Sequence, residues 1–220
     1  MGELNIREIL EKLIVVIPVI IPALVIHEYA HAWVAYRCGD TTAKDQGRLT
    51  LDPMVHMDPM GAIFIVLMLI TPVKFIFGWA KPVPVNFGNL RNPLRDMAFV
   101  AAAGPVSNML QVGVWYGLLW VLHLSLGTSN NTMVELFYQF AIYGILINLA
   151  LAFFNLLPIP PLDGSRIVFA FSPPNIGRAM AQLEPYGFMV LMLLLWTGII
   201  DVLLTPVSAI FHTLMSPIIG

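Results

Sequence analysis

The residues that point most clearly to chemistry stand in one short run, His-Glu-Tyr-Ala-His, at positions 27 to 31. On a helix, side chains four positions apart share a face, so the imidazoles of His27 and His31 can reach one metal ion. Glu28 lies beside that face, where its carboxylate can accept a proton from a water molecule on the metal. The pattern therefore predicts a metal centre with a general base, an arrangement that suits hydrolysis.

The segment that carries these three residues is otherwise apolar, because positions 13–36 hold no other strongly ionisable side chain. The alternative interpretation is that they are packed polar residues of a helical bundle. Each such group inside a membrane span costs at least about 2.5 kcal/mol unless pairing or function compensates. That cost favours the functional interpretation.

Two histidines leave a catalytic zinc site incomplete, since such sites usually take three protein ligands and a water molecule. Asp163 is a candidate for the third, because it follows an apolar run and three prolines that stop the helix near the membrane. Alternatively, Asp163 caps a helix that begins at Gly164, and the residues alone leave both readings open. His56, in a loop between two apolar segments, is predicted to be a solvated or capping residue outside the metal set.

The elements that must position this site are membrane segments. Of the 220 residues, 58% are hydrophobic and 11% are charged, whereas soluble domains carry about 25% charged residues. Crossing a bilayer takes roughly 20 apolar residues, and four runs reach or approach that length. We therefore expect an all-α polytopic membrane protein, with four to six membrane segments and residues 1–220 in a single membrane-embedded domain. The four long runs cover 13–36, 97–122, 136–157 and 185–200, and a shorter one covers 61–72.

The charge pattern bears on partners and on orientation. The net charge is −2 and no basic block occurs, so the lipid bilayer is an expected partner and nucleic acid is not. Nine lysines and arginines follow the histidine motif, and they share one face of the membrane if 61–77 dips in and returns. The positive-inside rule favours that arrangement. It predicts a multi-pass protein of the cell membrane, with the N-terminus outside and the active site toward the cytoplasm.

Residues 81–86, Lys-Pro-Val-Pro-Val-Asn, are predicted to form a strand with two different edges, within a small β-hairpin or re-entrant element. Prolines 82 and 84 remove the donors from one edge, while Lys81, Val83 and Val85 keep their N–H groups on the other. The open edge could hold an unwound peptide segment by β-addition, and a plain surface loop is the alternative.

Three motifs follow one another along the chain: the histidine run, Ala-Gly-Pro-Val-Ser-Asn at 103–108 and Asn-Leu-Leu-Pro-Ile-Pro-Pro-Leu-Asp-Gly at 155–164. In this order they resemble the site-2 protease family of intramembrane zinc metalloproteases, most of all its short members without a PDZ or CBS domain. The likeness extends over roughly 24–169. It implies that His27, His31 and Asp163 bind one Zn²⁺ per chain, that Glu28 is the catalytic base, and that Asn108 lies near the site and contacts substrate.

The resemblance implies a peptidase domain that hydrolyses a peptide bond within or beside a transmembrane segment of a membrane-protein substrate. Two other classes stay open. An ion- or metal-coupled transporter should carry ionisable groups on several spans, and the other spans here carry almost none. A catalytically inactive relative that acts as a binding partner would have no evident need for Glu28 beside a full ligand set.

Overall fold

The computed structural model describes residues 6–70, 80–127 and 131–219, and within those ranges it contains helices and no β-strand. Four helical stretches are long and apolar enough to cross a membrane, which confirms the all-α polytopic class. The helices are α1 Ile6–Cys38, α2 Thr42–Asp45, α3 Pro53–His56, α4 Pro59–Ile70, α5 Pro93–Leu126, α6 Thr132–Asn155, α7 Asp163–Phe171, α8 Pro174–Leu183, α9 Gly187–Trp196, α10 Ile199–Leu203 and α11 Thr205–Ile219.

Helices α1, α5 and α6 pack together and carry the buried polar residues His27, His31, Asn108 and Asn148. Helix α5 runs antiparallel to α1, because the His27 ring meets Asn108 whereas His31, one turn later, meets the earlier residue Val100. Helix α6 runs antiparallel to α5 in turn, since Asn148 bonds Asn108 while the earlier residue Tyr138 bonds Gly127 beyond the end of α5. Helices α1 and α6 are therefore parallel.

Apolar packing sets the position of α6 in this group. Ile145 and Leu149 of α6 are fully buried against Leu119 of α5 and Val207 of α11. Close van der Waals packing of this kind holds membrane helices together, because the lipid gives no hydrophobic drive between them. Asn148 lies between Ile145 and Leu149 in the sequence and is fully buried as well.

Residue 81 lies next to the end of α3, and residue 91 lies next to the end of α1. The Lys81 N–H donates to the His56 carbonyl at 2.8 Å, and the Arg91 N–H donates to the Cys38 carbonyl at 3.0 Å. Helix α4 has 12 residues and is about 18 Å long, which is short for a hydrocarbon core of about 30 Å. Because 71–79 lie outside the described residues, re-entry over 61–77 stays a prediction.

Residues 81–86 form no strand, so the predicted β element is not confirmed in the described part of the chain. Two side chains form hydrogen bonds with the backbone of this segment, as a partner strand would do in a sheet. The Arg48 guanidinium donates to the Lys81 carbonyl at 2.7 Å, and the Asp40 carboxylate accepts from the Asn86 N–H at 2.8 Å. The alternating prolines are the physical reason, since they leave a backbone ladder half of its donors.

Candidate metal centre

Three predicted site residues converge between α1 and the start of α7. The Nε2 atoms of His27 and His31 are 3.0 Å apart, and each lies 3.3 Å from Oδ2 of Asp163. A tetrahedral zinc ion with bonds of about 2.0–2.1 Å would separate its ligand atoms by about 3.3 Å. The two histidine–aspartate distances match that separation and the histidine pair is slightly closer, so the three atoms fit a zinc ion.

Helix α5 fixes the orientation of both imidazoles. Nδ1 of His31 lies 2.7 Å from the Val100 carbonyl, and Nδ1 of His27 lies 2.6 Å from Oδ1 of Asn108. A carbonyl oxygen can only accept, so each ring donates from Nδ1 and turns its Nε2 lone pair toward the other ligands. Hydrogen bonds of this kind typically set the tautomer and basicity of metal-binding histidines.

Gly104 lies on the same face of α5, midway between Val100 and Asn108, and lets α1 approach closely. A Cβ atom at this position would be 2.4 Å from Cε1 of His27 and 2.4 Å from Nε2 of His31. Real side chains do not sit that close, so any larger residue would displace the imidazoles. The glycine is therefore part of what shapes the centre.

The atoms of His27, His31 and Asp163 that face one another are all hydrogen-bond acceptors. This chemistry shows whether a metal ion fits the site. With both rings neutral and protonated on Nδ1, two lone pairs and a carboxylate oxygen point into one space. Oδ2 of Asp163 is buried and has no hydrogen-bond donor. A buried acceptor cluster without a donor is costly, and a divalent cation satisfies it. The two imidazole nitrogens and the carboxylate oxygen therefore form a ligand set that fits the zinc ion predicted from the sequence.

Asp163 reaches this position because the chain folds sharply after α6. Helix α7 begins at Asp163 itself, with Leu162 as its N-cap, so the alternative that Asp163 caps a helix from Gly164 is wrong. A Cβ on Gly164 would lie 2.1 Å from the Leu156 carbonyl oxygen. Only glycine allows the start of α7 to pack this closely against the end of α6.

Glu28 lies beside the triad and is held by the segment after α4. Its Oε2 atom accepts a hydrogen bond from the Val83 N–H at 2.8 Å. Of the three predicted edge donors, those of Lys81 and Val83 are therefore engaged within the protein. Lys81 is exposed, whereas Val83 and Val85 are half-buried and line the cavity in front of the triad.

Asn108 lies beside the metal ligands, as the resemblance implies, and its contact with substrate stays a prediction. It is fully buried, and its amide bonds His27, Asn148 and the Ala23 carbonyl. Its Oδ1 thus orients His27, while its Nδ2 bonds α1 and α6. Asn148 is not among the residues predicted from the sequence, although an asparagine inside an apolar span is an uncommon and informative residue.

Two further residues differ from expectation or were missed. His56 is only 1% exposed, so the prediction of a solvated residue is wrong; its Nε2 bonds the Thr50 carbonyl at 2.8 Å. Arg48 is buried and anchors the residues before Val83. Nothing in the sequence spacing connects Arg48 with Glu28, because the link passes through the backbone of residues 81–83.

Comparison with known proteins places the chain in a family. The chain is 40% identical over 190 residues to "Putative zinc metalloprotease YwhC" of Bacillus subtilis, an alignment that covers 85% of this chain and 82% of that protein. The chain belongs to peptidase family M50. The family model itself matches residues 117–197, which include Asp163. Family M50 is the site-2 protease family, so the resemblance is confirmed.

Other M50 relatives are more distant. The chain is 29% identical over 176 residues to "Putative zinc metalloprotease Rip2" of Mycolicibacterium smegmatis, which covers 80% of this chain and 64% of that protein. "Putative zinc metalloprotease MJ0611" of Methanocaldococcus jannaschii is 36% identical over 69 residues, 31% of each chain. No solved structure matches the chain. The possible metal ligands His27, His31 and Asp163 and the names of these relatives agree on zinc as the cofactor.

Proposed function

We propose that this chain is an intramembrane zinc metalloendopeptidase, which hydrolyses a peptide bond within or beside a transmembrane segment of a membrane-protein substrate. The observation that carries the proposal is the convergence of His27, His31 and Asp163, with Glu28 beside them, on the wall of one cavity. Ligands and base are drawn from helices that belong to an apolar, membrane-spanning fold.

The cavity suits a peptide segment taken from a membrane helix. Its volume is about 1020 Å³, at the upper end of the range of roughly 300–1,000 Å³ that holds small ligands. Most of its wall is apolar, contributed by residues such as Leu24, Leu146 and Phe188. An apolar wall with four convergent polar groups favours an apolar chain whose reacting bond meets those groups.

Zinc bound by the triad would polarise the scissile carbonyl and lower the pKa of the attacking water. Glu28 accepts the proton that the water loses as its oxygen bonds to the carbonyl carbon. The same carboxylic acid then delivers that proton to the amine nitrogen as the carbon–nitrogen bond breaks, which restores the carboxylate. The Val83 N–H donates to Oε2 of Glu28, which leaves Oε1 as the oxygen better placed to carry the proton.

A substrate helix must unwind before its peptide bond can react, because helical backbone groups are already paired. We expect the unwound stretch to lie along residues 81–85. The N–H groups of Lys81 and Val83 are engaged, so Val85, which lines the cavity, is the best placed of the three to hold substrate.

The orientation in the membrane follows from charge. The carboxyl end of α1, the start of α5 and the segment at Lys81 lie together. Six of the nine lysines and arginines after the histidine motif belong to these stretches and the short elements between them: Arg37, Lys44, Arg48, Lys81, Arg91 and Arg95. The positive-inside rule then puts this face in the cytoplasm and the N-terminus outside. Scanning cysteine accessibility at Lys44 and Glu135 in intact cells tests this assignment.

The decisive experiment replaces Glu28 by Gln. The amide cannot take up the water's proton, so the variant should bind zinc normally and cleave nothing. Glu135→Gln is the matched control, because Glu135 is exposed at the start of α6 and should leave cleavage unchanged. Proteomic comparison of membranes with each variant identifies uncleaved proteins that accumulate only with Glu28→Gln. Near-normal turnover by Glu28→Gln of any substrate confirmed for the wild-type protein would refute the role of Glu28 as base.

A further inference from the structure

We propose that Asn148 is a positioning residue for His27, which it keeps protonated on Nδ1 by acting through Asn108. The inference deepens the proposed function and rests on the same metal site. Asn148 lies on α6, and its side-chain hydrogen bonds go to Asn108 and to the Gly144 carbonyl, so it reaches His27 through α5. Three successive hydrogen bonds, each with a fixed direction, connect Asn148 with His27.

The first bond fixes the Asn148 amide. Its Nδ2 donates to the Gly144 carbonyl, one turn earlier on α6, at 2.9 Å. Because a carbonyl can only accept, the amino group of Asn148 must face Gly144. The Oδ1 atom of Asn148 is thereby turned toward α5.

The second step fixes Asn108. Its Nδ2 donates to Oδ1 of Asn148 at 2.9 Å and to the Ala23 carbonyl of α1 at 3.3 Å. Both partners are oxygens that accept, so both hydrogens of this amino group are used and the amide cannot be reversed. The remaining atom, Oδ1, faces Nδ1 of His27 at 2.6 Å.

The third step fixes His27. Its Nδ1 faces an oxygen that can only accept, so the ring carries a proton there and keeps its Nε2 lone pair for a metal. His31 is held differently, by the backbone carbonyl of Val100. The two ligands thus differ in what orients them: His31 depends on α5 backbone, whereas His27 depends on a pair of side chains.

Burial makes any reversal of the amides in this series of hydrogen bonds costly. Asn108 and Asn148 are both 0% exposed, and His27 is 6% exposed. Reversing either amide would put two donors or two acceptors face to face where no water can compensate, which is costly at low dielectric. A purely structural role, in which the two asparagines only fasten α5 to α6, would be indifferent to the tautomer of His27.

The test uses Asn148→Leu, which keeps the approximate size and removes the acceptor for Asn108. In zinc-free protein in detergent, imidazole ¹⁵N spectra should show His27 losing its fixed proton on Nδ1 while His31 stays unchanged. Zinc affinity, measured by competition with a chelator, should fall about tenfold, the lower end of the range for partners of metal ligands. Leu149→Ala is the control: it removes neighbouring packing on α6 and should change neither readout, although it lowers thermal stability.

Unchanged His27 spectra in Asn148→Leu, or equal changes at His27 and His31, would overturn the proposal. If that variant does not fold, Asn148→Asp decides, because its carboxylate still accepts from Asn108; His27 should keep its proton on Nδ1, and losing it there would contradict the relay. The spectra require neither zinc nor cleavage. A failed protease assay with the expected His27 result would therefore refute the proposed function and leave the role of Asn148 standing.

Discussion

The two sides of the metal centre are built in different ways. The histidine side lies between three long helices, and each imidazole has a buried hydrogen bond from Nδ1 to α5. The glutamate side depends on one hydrogen bond from the backbone of Val83, in a half-exposed segment without regular structure. The comparison teaches that the metal ligands are preorganised by helix packing, whereas the base is oriented by a connection between helices.

That connection is itself anchored from outside the membrane helices. Arg48 donates to the Lys81 carbonyl, and the Asp40 carboxylate accepts from Thr42, Asn86 and Asn89. Changes on the histidine side should therefore affect zinc binding, while changes on the glutamate side should affect the rate and leave zinc in place. The predictions below separate these two outcomes.

The largest effect is expected from Gly104→Ala on the histidine side. The added methyl group would overlap both imidazoles, so zinc per chain should fall to near zero and cleavage should be lost. Gly113→Ala, two and a half turns further along α5, is the matched control, because a Cβ there meets nothing within 4 Å. Elemental analysis of the purified variants measures the difference, and full zinc content in Gly104→Ala would show that the close approach of α1 and α5 is unimportant.

Val83→Pro should break the glutamate side alone. It removes the N–H that holds Glu28, and a hydrogen bond to a charged group contributes about 1.5–3 kcal/mol, so cleavage should slow by about tenfold or more. Zinc content should stay at the wild-type value, since no ligand lies on this segment. Val83→Thr keeps the N–H and should cleave normally. A wild-type rate in Val83→Pro would mean that the backbone of this segment orients neither the base nor the substrate.

The smallest effect is expected from Asp40→Asn, which weakens the anchor of the same segment. Burial would raise the pKa of the Asp40 carboxyl, but hydrogen bonds from Thr42, Asn89 and Asn86 outweigh it and leave that pKa below its ordinary value. A lowered folded pKa stabilises the fold above the ordinary value of about 3.9 and loses that effect as the pH falls through the folded pKa.

At pH 7, Asp40→Asn should therefore lower Tm by about 2–4 °C, the equivalent of about 1 kcal/mol in a chain of this size. The difference from wild type should shrink once the pH falls below about 3.9. Thermal unfolding in detergent between pH 7 and pH 3 measures it. A Tm difference that is the same at every pH would show that the ionised carboxylate is not what anchors the segment.

The sequence predicts the parts of this protein that depend on local pattern. The membrane helices follow from apolar runs, and His27, Glu28 and His31 follow from helical spacing around one metal ion. Asp163 needed either the resemblance or the structure, since the residues alone left helix capping open. Asn148 and Val100 were missed because their roles depend on which faces of α5 and α6 meet α1, and packing decides that.

The segment at 81–86 is a second case in which the partners depend on tertiary packing and not on local pattern. Its alternating prolines predict two unlike edges, and they describe the available donors correctly. They do not show that the donors are used within the protein, by the carbonyl of His56 and the carboxylate of Glu28. These partners lie 25 and 55 residues away and leave no periodic pattern in the sequence. A loop that orients the base therefore has the same sequence pattern as a strand with an open edge.

The most direct test of the central claim is X-ray absorption at the zinc edge, on wild type, Glu28→Gln and Asp163→Ala. Wild type and Glu28→Gln should each hold one zinc, with two imidazole nitrogens at about 2.0–2.1 Å and a carboxylate oxygen at about 2.0–2.2 Å. Asp163→Ala should lose the zinc or the carboxylate contribution while the protein stays folded. An identical zinc content and spectrum in Asp163→Ala would contradict the ligand set of His27, His31 and Asp163.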